Sequence, residues 1–149
     1  MFNKKILKPF LILLVLSLSL VSFSACDDDD EDKKLEIIGT WQSAYGGNEV
    51  ITKDTWTFTF GASTIVEYDN DKNIVYVQNS ADMEYNASKF SKIVYTDIAD
   101  NKFYYCTISF GNETLDDAKA NTTEADASDP ATTGCGGNFP WTSLTKATE

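Results

Sequence analysis

The side chains able to do chemistry in this chain are unevenly chosen. No His and no Arg occur among its 149 residues, so the usual general base and the usual oxyanion partner are both missing. Carboxylates are plentiful, with 23 acids against 12 lysines. Glu113 and Asp117 stand four apart, and paired carboxylates hydrolyse glycosides when held about 5–9 Å apart across a cleft. On a helix, however, i and i+4 carboxylates are neighbours on one solvent face. The segment "NETLDDAKA" (112–120) accounts for them without catalysis. Asn112 and Thr114 are N-cap residue types, Thr114 with Asp117 has capping-box spacing, and acids in the first turn suit the helix dipole. No catalytic residue is expected, and the chain is read as not an enzyme.

Three cysteines remain, and the first marks an address. Met1 to Lys8 is short and basic, Phe10 to Ala25 is uncharged and apolar, and the run exits through small residues. That is a secretory signal peptide over 1–25. A membrane span needs about 20 apolar residues, and Lys8 and Pro9 cut this run short. The exit Phe23-Ser24-Ala25-Cys26 resembles the lipobox of bacterial lipoproteins, with Phe23 standing where Leu is usual. The resemblance implies cleavage between Ala25 and Cys26, diacylglycerol on the Cys26 thiol and a further acyl chain, such as palmitate, on the new amine. More than one chain gives stable anchoring.

Asp27 to Asp32, all acidic, then form a self-repelling, extended tether over 26–34, ahead of a single domain at 35–149. The acidic run resembles export signals that send lipoproteins to the surface of some Gram-negative bacteria. It also resembles the inner-membrane retention rule of enteric bacteria, where Asp after the lipidated cysteine blocks sorting. The expected location is the envelope of a Gram-negative-type bacterium, with the outer membrane, surface-exposed, ahead of the inner.

The charge balance narrows the partners. Lys4, Lys5 and Lys8 leave with the signal peptide while all the acids stay, so the mature chain is more acidic than the −11 of the whole. Nucleic acid is disfavoured, because phosphate contacts need clustered positive charge. In an oxidising compartment Cys106 and Cys135 are most simply a disulfide. A zinc site lacks ligands, and a reactive thiol pair lacks a nearby base.

The elements that position these groups have a period of two. "TWTFTF" (55–60) puts Trp56, Phe58 and Phe60 on one face and three threonines on the other. "NIVYVQ" (73–78), "SKIVYTDI" (91–98) and "KFYYCTISF" (102–110) are β-rich too, the last setting Tyr104, Cys106, Ile108 and Phe110 together. Gly46-Gly47-Asn48, Asp69 to Asn73 and Ala99-Asp100-Asn101 are turn chemistry. Asp69 to Asn73 starts with calcium-loop spacing, but Ile74 and Ser80 occupy the positions that need Gly and Glu, so it is a hairpin turn. No metal and no cofactor is expected. The segment "FPWTSL" (139–144) is expected to return Phe139, Trp141 and Leu144 to the sheet.

About seven or eight short strands with one short helix make the chain mainly β, as an antiparallel up-and-down barrel or a sandwich. Gly39-Thr40-Trp41 on the first strand resembles the lipocalin and wider calycin barrels, where that Trp plugs the closed end. Those barrels usually pack a late-strand Arg over the Trp. The other reading of Trp41 is a core aromatic near a strand start.

Two functions are then in view. A bore filled by Trp56, Phe58, Phe60, Tyr104, Ile108 and Phe110 leaves a non-catalytic interaction or structural module of the envelope, which is the favoured expectation. A bore with room makes a lipocalin-like carrier of a small apolar or glycan ligand; carboxylate hydrolysis comes third. No ligand-binding residue is assigned.

Overall fold

A computed structural model describes residues 34–148. The signal peptide, Ala25, Cys26 and the acidic run lie outside the described residues. Eight strands run in chain order: β1 (Gly39–Ser43), β2 (Asn48–Ile51), β3 (Thr55–Phe58), β4 (Gly61–Asp69), β5 (Ile74–Asn79), β6 (Phe90–Tyr95), β7 (Lys102–Asn112) and β8 (Thr142–Lys146), with helix α1 (Leu115–Ala120) between the last two. Each strand pairs antiparallel with the next, and β8 closes on β1 through Trp41 opposite Lys146 and Ser43 opposite Leu144. The chain is an up-and-down eight-stranded barrel with one short helix. Closure leaves no unpaired sheet edge.

Alternation decides what fills one half of the bore. Leu35, Ile37, Trp41, Ile51, Trp56, Val75, Ile93, Phe103 and Leu144 are all 2 % exposed or less and form one cluster. The Trp41 ring meets Phe103 edge-on at 4.7 Å, and its Nε1 donates to the Ile37 carbonyl at 2.9 Å. Such edge-to-face ring pairs add about 1 kcal/mol beyond their buried area. Trp41 is thus a core aromatic near the start of the first strand, packed under the entering chain. Where the resemblance asks for Arg, Lys146 of the last strand sets its ammonium 4.5 Å from the centre of the Trp41 ring. Gly39 makes that seat, since a Cβ there would lie 2.1 Å from Lys146 Nζ. Asn70 in the β4–β5 turn fastens the entering chain, donating to the Lys34 carbonyl and accepting from the Glu36 amide and the Tyr95 hydroxyl.

Two assignments of facing need correction. Phe60 is 89 % exposed, because β3 ends at Phe58 and Phe60 falls in the turn to Gly61. On β7 the inward face is the opposite of the one expected. Phe103 and Tyr105 point into the barrel, while Tyr104 and Cys106 point out, Tyr104 lying under the Lys102 ammonium. Ile93 pairs with Thr107 and Lys92 with Ser109, so a bulge at Ile108 shifts the alternation and brings Phe110 to the barrel mouth. Both faces of "KFYYCTISF" carry rings, so alternation alone could not say which is inside.

The outward face of β7 is buried instead by the chain between α1 and β8. Cys106 and Cys135 are joined, with Cα atoms 5.6 Å apart. Trp141 is buried just before β8, its Nε1 donating to the Asp126 carbonyl. Leu144 also returns to the core, as expected, whereas Phe139 is 71 % exposed. Gly134 permits the crossing of the loop over itself: its φ is +94°, and a Cβ would stand 1.9 Å from the Asp126 carbonyl oxygen. Thr114, not Asn112, caps α1, accepting from the Asp117 amide and donating to its carboxylate. The Asn112 amide instead bonds Phe90 and Ser109.

Candidate functional site

The bore is not filled. Above Trp56 and Ile93 the barrel opens into a cavity of about 370 Å³, at the small end of the range for small-molecule sites. Phe58, Val77 and Ile93 form its apolar wall, and Ser43, Ser91, Thr107 and Thr142 supply hydroxyls. At the mouth stand Tyr45, Phe60 and Phe110, all exposed, with Met83 from the β5–β6 connection.

One charged side chain faces this cavity, and it belongs to a short strand. Glu49 on β2 is 3 % exposed. Its neighbours in sequence point outward, so the period of two carries Glu49 to the same inward face as Ile51. Its Oε2 accepts from Trp56 Nε1 at 2.9 Å and its Oε1 from the Tyr105 hydroxyl at 3.1 Å. Burial pushes the carboxyl above its ordinary pKa, and Trp56, then Tyr105 and the nearby Ser43 hydroxyl, pull it partly back. Burial first, and then the adjacent carboxylate, hold the Tyr105 phenol protonated far above its usual range.

The aromatic rings around the carboxylate are tightly grouped. Trp56 and Phe58 stack at 5.4 Å, and Tyr105 meets Trp56 edge-on at 5.0 Å. Among the described residues no lysine lines the cavity. Among the described residues no buried side-chain nitrogen or oxygen lacks a partner, so Glu49 sits in a built polar site and not in a packing error.

The carboxylates singled out from sequence are elsewhere. Glu113 pairs with Lys89, and Asp117 completes the Thr114 cap; neither lines the cavity. Asp69 accepts from the Lys72 amide and ammonium and closes the β4–β5 hairpin turn. Among the described residues no three acidic or cysteine side chains are gathered as metal ligands, and no helix is long and apolar enough to cross a membrane.

Sequence reasoning missed Glu49 and Tyr105. Glu49 comes directly after the Gly46-Gly47-Asn48 turn, where a glutamate reads as solvent-facing. The available signal was its i+2 spacing from Ile51. No protein-family model matches the chain, and no curated protein or solved structure matches it either.

Proposed function

We propose that this protein is a lipid-anchored binding protein of the bacterial cell envelope, holding one small, mainly apolar ligand in the open half of its barrel. The cavity around Glu49 carries the reading: a bore built to be solid would not place a carboxylate held by an indole and a phenol beneath an open space. Phe58, Val77 and Ile93 offer the ligand an apolar wall, and Glu49 and the hydroxyls orient its polar end. The anchor rests on the lipobox at Cys26, and the site is read as non-catalytic because the donors around Glu49 hold it without a partner base. A second reading, an envelope interaction module, is favoured by the exposed rings Tyr45, Phe60 and Phe110 at the mouth.

Protein purified from its membrane fraction into zwitterionic lipid nanodiscs separates the two. A co-purified small molecule in native mass spectra, or saturable calorimetric binding of 4-phenylbutanol that Phe58→Trp abolishes by filling the cavity, is the expected outcome. Absence of both, beside capture of a protein partner that rim substitutions release, would favour the interaction module.

A further inference from the structure

We infer that the ligand of this cavity is an organic cation, an amine carried on an apolar body. The inference rests on the binding reading above and names its ligand class. An ionised carboxylate accepts hydrogen bonds and donates none, with roughly four acceptor positions. Trp56 and Tyr105 use two, and the group still lines the cavity, so what completes it must be a donor. Among the described residues the lining supplies no countercharge: it contains no lysine, and the chain has no Arg or His. Burial without a countercharge is costly for a carboxylate, and an entering ammonium provides that charge and an N–H together.

The rest of the cavity suits the same occupant. Phe58 and Tyr105 flank the carboxylate, and Tyr45, Phe60 and Phe110 ring the way in. Aromatic faces attract cations, most strongly where water is excluded. The mature chain, more acidic than the −11 of the whole sequence, draws cations toward the molecule and opposes anions. A fatty acid, whose apolar tail would fit the wall, would place its carboxylate against Glu49 with no base to bridge them.

Three probes of one body test this by calorimetry in nanodiscs: 4-phenylbutylamine, 4-phenylbutanol and 4-phenylbutyrate. The amine should bind at least about tenfold tighter than the alcohol, with the acid weakest. Glu49→Gln should remove the preference for the amine over the alcohol. The ranking in the unaltered protein stands as a test even where that variant folds poorly. Alcohol binding that Phe58→Trp abolishes, with the amine no tighter than the alcohol, overturns the cation while the binding reading survives. Acid binding as tight as the amine also overturns it. Failure of all three probes, with no co-purified molecule, removes both.

Discussion

Glu49 is the residue on which the site turns, and its burial makes a stability prediction. Its folded-state pKa lies above the ordinary 4.5, so the native state holds the proton more tightly than the unfolded chain does. The stability contributed by that proton is complete below the ordinary value and is lost as pH rises through the raised one. Glutamine does not titrate. The melting temperature of Glu49→Gln relative to the unaltered protein should therefore climb as pH rises from below the ordinary carboxyl value toward neutrality. Scanning calorimetry of the ligand-free protein reads this directly, the other carboxylates cancelling in the difference. A difference that stays flat, or falls, across that interval would show that burial does not penalise the charge. At the opposite end of the bore, Lys146 sets a cation on the face of the Trp41 ring, without the planar fork that a guanidinium would bring.

Among the elements, the connection between α1 and β8 is the one most dependent on a covalent bond. It has little regular structure, and the Cys106–Cys135 link pins it to the outer face of β7. Closing a loop of that length is worth on the order of 3–4 kcal/mol in the chain-entropy model. Cys135→Ala should lower the melting temperature by several degrees or more. The barrel's far-ultraviolet dichroism below the transition should be retained, because the link lies outside the bore. An unchanged melting temperature would mean that the link contributes nothing to stability, and peptide mapping without reductant checks that it forms.

The strands themselves were largely legible. Strict alternation at 55–60 gave β3 with its threonine face outward, and three more β-branched, aromatic runs gave β5, β6 and β7 to within two or three residues. Thr114 and Asp117 announced the helix cap. The facing of β7 was not legible, because rings stand on both sides and the choice is made by α1 and the loop that cover one of them. The cavity was not legible either. Phe60 and Phe110 count toward filling a bore when read from composition, yet a turn and a bulge put both at the mouth. A volume is set by where strands end, and that is the least determined quantity in a period-two pattern.

For the molecule as a whole, anchoring and binding are separable. Cys26→Ser should leave the precursor unprocessed or the protein free of the membrane, while intact mass of the unaltered mature form should show acyl chains; a mature mass without them would sink the lipobox assignment. Binding by the barrel should be indifferent to that substitution, since the named groups that build the cavity wall and its mouth lie between Ser43 and Thr142. The barrel also divides along its own axis. Its cohesion is concentrated in the packed half, around Trp41, Trp56 and Phe103, and its proposed recognition in the hollow half, where Tyr45, Phe60 and Phe110 bury little. Substitutions at that rim touch few of the contacts that hold the fold. The fold can thus drift in what it admits while remaining the same barrel, so descendants of one sequence could diverge in ligand long before they diverge in shape.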